Sequence, residues 1–176
     1  MVTIRTELAS DAAARTRLLD KAFGVSRLRK SSERLREGRV PAEGLAFTAL
    51  SDKGKVIGTI RLWNIIAGSA GPSLLLGPLA VDYRHQKKGI GRKLMDHALA
   101  TAKVLGHDSV LLVGDAPYYQ RFGFSETHTQ SLHLPGPVER KRFLGLELTT
   151  GALDGAIGLV SAAGKLARGD DRAIAA

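Results

Sequence analysis

Leu79-Ala80-Val81-Asp82-Tyr83-Arg84-His85-Gln86-Lys87-Lys88-Gly89-Ile90-Gly91-Arg92 contains an abrupt change of pattern. An apolar run gives way to two glycines among cations, and a helix-period stripe starts directly after. Upstream, Leu74 to Val81 is continuously apolar, as expected of a strand buried on both faces. Downstream, Leu94, Met95, Ala98, Leu99, Ala102 and Leu105 fall on one helical stripe, with Arg92, Lys93, Asp96, Thr101 and Lys103 off it. Gly106 ends that helix, and Val110 to Val113 reads as the next strand. Strand, helix and strand over residues 74–113 make a right-handed crossover unit. Glycines let a backbone come close to a ligand, and a helix N-terminus aims unpaired N–H groups and a positive dipole end at it. A pyrophosphate fits that chemistry. A plain strand–helix turn with a solvated basic rim is the other reading.

Two familiar phosphate loops are excluded. A Walker loop needs Gly-Lys followed by Ser or Thr, and the Gly-Lys pairs here precede Val56 and Leu166. A dinucleotide fingerprint needs a third glycine where this chain has Leu94. Composition narrows the rest. A chain of 176 residues with 44% hydrophobic and 24% charged side chains is long and apolar enough to bury a core, and residues 1–176 read as one domain. Zero cysteines exclude disulfides, thiolate metal sites and cysteine nucleophiles. A net charge of +9 favours an anionic partner, while 5% aromatics is too few for stacking platforms along single-stranded nucleic acid. No apolar run spans a bilayer, and Met1-Val2-Thr3-Ile4-Arg5 does not open a signal peptide, so no membrane is expected and the expected compartment is the cytoplasm.

Working outward, Val2 to Glu7 alternates as a first strand, and Ser10 is placed to cap a helix over residues 11–23 that Gly24 stops. The basic segment 27–39 reads as a charged helix face, with contact to RNA or a ribosomal partner as the other reading. Gly44 to Leu50 and Val56 to Trp63 read as strands joined at the turn Ser51-Asp52-Lys53-Gly54. Pro117 opens a short helix, and Phe122-Gly123-Phe124 turns into another strand. Gly145 and the Gly- and Ala-rich segment 150–176, with Gly151, Gly155, Gly158 and Gly164, suggest turns and tight packing, with fraying expected from Arg168 onward. His85, His97, His107, His128 and His133 form no metal-ligand spacing, and no metal is expected.

Gln86-Lys87-Lys88-Gly89-Ile90-Gly91 matches the Gln/Arg-x-x-Gly-x-Gly/Ala motif of the GNAT N-acetyltransferase superfamily. Further on, Tyr118-Tyr119-Gln120-Arg121-Phe122-Gly123-Phe124 resembles that family's second signature, a Tyr five places before the Phe of a Gly-Phe pair. Gly77-Pro78-Leu79-Ala80-Val81 with Gly114-Asp115 is similar to a bacterial subgroup of acetyltransferases. The resemblance covers residues 74–125 well and 126–176 poorly. It implies a mixed α/β fold: a central, mostly antiparallel sheet flanked by helices, with a splayed strand pair forming the cofactor cleft. It also implies acetyl-CoA, or CoA, as co-substrate. Leu79, Ala80 and Val81 then pair their backbone with the pantetheine arm, and Gln86, Lys87, Lys88, Gly89, Ile90 and Gly91 wrap the pyrophosphate. Arg84, Lys87, Lys88 and Arg92 are cations suited to the 3′-phosphate or to solvent. Tyr119 stands near the thioester sulfur as the acid, and Tyr118 packs. Asp115 takes a position where many relatives carry Asn.

The acceptor side carries no readable motif. An amine with a pKa of about 10.4 is almost fully protonated at pH 7, so something must take its proton before attack. Leu74 to Val81 contains no carboxylate, and Glu43, Asp52 and Glu126 are acids near strand ends whose expected role is solvated surface. Deprotonation through water is the expectation. The function expected is acetyl-CoA-dependent N-acetyl transfer to a primary amine of a small molecule or peptide by direct attack. The alternatives are a CoA-binding sensor without catalysis and a basic nucleic-acid-associated protein. A nucleic-acid partner is the weaker expectation, and a homodimer stays open.

Overall fold

Six strands lie side by side in a computed structural model that describes residues 1–169: β1 (Thr3–Thr6), β2 (Ala46–Leu50), β3 (Val56–Ala67), β4 (Pro72–Val81), β5 (Ser109–Val113) and β7 (Phe143–Glu147). Two more complete the sheet: β8 (Gly158–Ala162) pairs with the far end of β3, and β6 (Leu132–His133) pairs with β8. Along the main path every pair is antiparallel except β4–β5, which is parallel and spans helix α2 (Ile90–Val104). The expected mixed, mostly antiparallel sheet with flanking helices is therefore observed.

The apolar run of β4 is explained by burial on both faces. Leu74 and Leu76 pack with Ile60, Leu62, Val110 and Leu112 beneath α2, whose Ile90, Leu94, Met95, Ala98 and Ala102 are buried. Leu75 points the other way, into a second core with Leu35, Trp63, Ile65, Leu111 and Phe143. Helix α1 (Ala12–Phe23) lays Leu18 and Leu19 on Ala80. Gly24, at φ 72, ends it by donating its N–H to the Asp20 carbonyl at 2.8 Å.

Several expectations are corrected. Ser10 does not cap α1; it lies inside a 3-10 turn (Ala9–Asp11), and Asp11 precedes the helix instead. The Asp11 carboxylate accepts from the Leu8 N–H at 2.8 Å and from Arg5, tying the turn to β1. The basic segment is no charged helix but two 3-10 turns, Val25–Arg29 and Ser31–Leu35, anchored by buried Leu35. No strand follows Phe124; Ser125 makes one isolated bridge to Gly145 before the chain turns again. Gly145 and Gly158 lie in strands rather than turns. A Cβ at Gly145 would sit 2.9 Å from His128 and 3.0 Å from Leu153, so the strand needs glycine there to pack. Strand β3 runs past Trp63 to Ala67, its end paired by β4 on one edge and by β8 on the other. Of the segment expected to fray, residues 170–176 lie outside the described residues. Among the described residues no helix is long and apolar enough to cross a membrane.

Candidate active site

β4 and β5 pair only at Leu74–Val110 and Leu75–Leu111. Beyond Leu75, no strand among the described residues pairs with the β5-facing edge of β4, while β5 continues alongside β7 through Val113. A bulge marks the parting. Leu62 faces Leu76 and Ile60 faces Leu79, so Gly77 and Pro78 together stand opposite Arg61. Gly77, at φ 130, adopts a backbone that side-chain-bearing residues rarely reach, and its carbonyl accepts from the Trp63 indole at 2.6 Å. Behind the bulge, Glu7 accepts from both Arg15 and Arg61, and the Arg61 guanidinium lies 5.2 Å from the Trp63 ring. Burial lowers the Arg61 pKa to about 10, Glu7 opposing the shift, so the cation persists at neutral pH. The parted strands leave a cleft of about 710 Å³.

The loop after β4 closes one end of this cleft. The Asp82 carboxylate accepts from the Arg84 N–H at 2.9 Å, and the Gln86 amide donates back to the Val81 carbonyl at 3.2 Å. Lys87 has φ 62, and Gly89, at φ 74, caps α2. The first helical bond there runs from the Lys93 N–H to the Gly89 carbonyl at 3.0 Å, leaving the N–H groups of Ile90, Gly91 and Arg92 without intrahelical partners. Ile90 is buried and pins the turn to the core. A Cβ on Gly89 would meet nothing within 4 Å, which is the open approach a ligand needs. Leu79, Ala80, Val81, Gln86, Lys87, Gly89, Ile90, Gly91 and Arg92 all line the cleft, whereas Lys88 does not. Arg84 turns onto the Tyr83 hydroxyl at 2.9 Å, and exposed Arg92 lies 3.6 Å from Asp96, a contact of little energetic consequence.

Across the cleft, the short helix α3 (Ala116–Tyr119) presents two tyrosines, both lining it. The Tyr119 ring stacks edge-on to Phe124 at 6.1 Å and lies so close over Gly114 that a Cβ there would come within 2.3 Å of the ring. Burial pushes the Tyr119 hydroxyl up to about 12. Tyr118 is half-buried, and its hydroxyl lies 2.8 Å from where a Cβ on Gly91 would stand, directly over the first turn of α2.

This arrangement has known counterparts. A family model described as an acetyltransferase (GNAT) domain matches residues 43–126. The N-acetyltransferase YhbS of Escherichia coli is 31% identical over 158 residues, covering 89% of this chain and 93% of its own. The chain belongs to the GNAT family of N-acetyltransferases. The solved structure of the E. coli YhbS protein, a complex with CoA, superposes with a TM-score of 0.77 at 29% identity, covering 92% of this chain and 89% of that one. A GNAT acetyltransferase from Brucella melitensis in complex with acetyl-CoA superposes with a TM-score of 0.64 at 27% identity, covering 93% and 96% of the two chains.

In this GNAT chain the acidic candidates lie elsewhere: Glu43, Asp52 and Glu126 do not line the cleft. Among the described residues Asp115 is the one carboxylate that does. No group of three or more His, Asp or Glu side chains is gathered to hold a metal ion among those residues. Sequence reasoning missed Arg27, Lys30, Arg36, Arg121 and Arg142, which line the cleft from the two 3-10 turns and the residue directly after each, from the 3-10 turn after α3, and from the 3-10 turn just before β7. Their one sequence signal was a local density of cations, which the sequence assigns to a solvated helix face rather than to a cleft.

Proposed function

We propose that the enzyme transfers the acetyl group of acetyl-CoA to the primary amine of a small molecule or peptide by direct attack. The observation that carries this reading is the gap between β4 and β5, which runs to the first turn of α2, where Gly89 supplies no side-chain cap to its N–H groups. Backbone groups along residues 76–81 offer an extended, amide-bearing pantetheine arm the hydrogen bonds of an added strand. The N–H groups of Ile90, Gly91 and Arg92 suit the pyrophosphate. The CoA and acetyl-CoA complexes of the E. coli and Brucella relatives support the same co-substrate here.

In the reaction the amine nitrogen bonds to the acetyl carbonyl carbon, the carbon–sulfur bond breaks, and the nitrogen loses a proton. Asp115 is exposed and is the one cleft carboxylate among the described residues, so we assign the proton to water. Tyr119 is the group we place at the sulfur. Its hydroxyl near 12 lies roughly 3.5 units above a thiol of about 8.5, so complete transfer to the thiolate is uphill by about 5 kcal/mol. Tyr119 therefore acts as a hydrogen-bond donor to the departing sulfur rather than as the final proton source.

Calorimetric titration with CoA and thiol release from acetyl-CoA with a panel of amines test the reading. CoA binding that is lost in Gly89→Glu, together with amine-dependent thiol release, is the expected result. A carboxylate at position 89 would meet phosphate at the helix N-terminus. CoA binding without release by any amine would favour a sensor. Absence of CoA binding in the folded protein would overturn both.

A further inference from the structure

We propose that the acceptor carries an anionic group, a carboxylate or a phosphate, beside its amine, and that Lys30, Arg36 and Arg142 hold it. This rests on the acetyl-transfer reading above.

The gap between β4 and β5 opens toward both faces of the sheet. On the α2 face stands the loop through Gly89, with His85, Lys87 and Arg92 already lining the cleft around it. On the other face lies the segment of 3-10 turns, held down by Leu35 in the core of Trp63, Leu75 and Leu111. From there Arg36, only 9% exposed, brings its Nη1 to 3.7 Å from where a Cβ on Gly77 would stand, at the bulge itself. Arg142 spans the mouth, its Nε donating to the Gly114 carbonyl at 3.3 Å. Its charge bears on both the Tyr119 hydroxyl and the Lys30 ammonium. Lys30 is drawn below its ordinary pKa first by partial desolvation, then by Arg142 and Arg36. Arg36 at the bulge and Arg142 at Gly114, beneath the Tyr119 ring, thus line one cleft with Lys30, whose ammonium stands 5.2 Å from the Phe23 ring.

The other cleft cations stand apart from these three: Lys87 and Arg92 lie around the loop on the α2 face, and Arg121 lies 5.6 Å from the Tyr118 ring. Arg27 is paired with Asp20 at 3.1 Å. Arg36 has Glu33 on its Nε at 2.7 Å, but among the described residues neither Lys30 nor Arg142 has a carboxylate partner. Like charges gathered in a cleft destabilise one another until an anion joins them. An acceptor with a carboxylate or phosphate supplies that anion. Polycationic amines such as polyamines and aminoglycosides are repelled by the same arrangement.

The test compares initial thiol release at saturating acetyl-CoA for matched amines: glucosamine 6-phosphate against glucosamine, an amino acid against its carboxamide, and spermidine. Rates are taken per unprotonated amine. We expect kcat/KM at least about tenfold higher for the anionic member of one pair, and which pair responds separates phosphate from carboxylate. Lys30→Ala and Arg142→Ala should each raise KM for that acceptor about tenfold, the size of one lost charge-assisted contact, with CoA affinity unchanged within about twofold. Equal or better use of the neutral amines or of spermidine overturns the proposal. So does a loss of CoA affinity in either variant, which would make these cations part of the cofactor site. Loss of CoA binding in the native protein, or no release with any amine, would instead bring down the acetyl-transfer reading and this inference with it.

Discussion

Tyr119 and Tyr118 are adjacent in the chain, yet their hydroxyls have different surroundings. Burial holds Tyr119 near 12, so it keeps its proton through pH 10 and donates over the whole working range. The pH profile of kcat/KM should rise as the amine deprotonates, with no falling limb from Tyr119 below about pH 11. Tyr119→Phe should lower kcat by roughly 10- to 100-fold, at the low end for an acid–base group, because a thiolate is already a tolerable leaving group. CoA affinity, measured by calorimetry, should hold. Tyr118→Phe should change kcat less than about threefold. The reverse ranking in steady-state rates would move the donor to Tyr118, whose hydroxyl lies over Gly91.

At the scale of elements, the site depends on how closely α2 lies on the sheet. Gly58 in β3 permits that approach: a Cβ there would stand 2.9 Å from Leu94 and 3.2 Å from Ala49. Gly58→Val should destabilise the fold by about 1–3 kcal/mol, the ordinary cost of overpacking, read as a lower urea midpoint at unchanged slope. An unchanged midpoint would mean that the helix can ride outward freely. The parting of β4 and β5 was legible through the family resemblance; the Gly77-Pro78 pair inside an apolar strand is its one local mark, and such a pair signals a bulge without saying which neighbour leaves. The two 3-10 turns at 25–35 were not legible, since such turns have no apolar period to read.

Across the whole molecule, charge sets the response to salt and acid. CoA affinity should fall with ionic strength, by less than about tenfold between 50 and 500 mM salt, because main-chain N–H groups and the neutral pantetheine contacts are screened little. A slope as steep as that of nucleic acid on a polycation would point to another ligand. In acid, Asp11 is the group to follow. Arg5 holds its carboxyl below the usual range, so its stabilisation is present above about pH 4 and is lost as pH falls through the lowered folded value. Asp11→Ala should cost about 1–3 kcal/mol at pH 7, and the difference from the native protein should shrink toward pH 3 in thermal melts. A constant difference would assign the loss to packing instead.

By itself the sequence determined whatever rests on local chemistry. The glycine pair after an apolar strand, the helical stripe from Leu94 to Ala102 and the turn at Ser51-Asp52-Lys53-Gly54 each follow from backbone freedom and side-chain period within a few residues; Leu105, expected on that stripe, lies past the helix end and is half exposed. Tertiary structure alone decided the rest. β6 and β8 are short, and β8 leaves Leu159 exposed, so neither shows a strand's alternation in the sequence; β8 is fixed by pairing with the end of β3, and β6 by pairing with β8. Lys30 and Arg36 come from one basic segment and Arg142 from more than a hundred residues further on, and they share a cleft only where the sheet opens. Charge in a sequence has no direction; the fold turns these three toward the same cleft, because Leu35 and Phe143 beside them must be buried in one core.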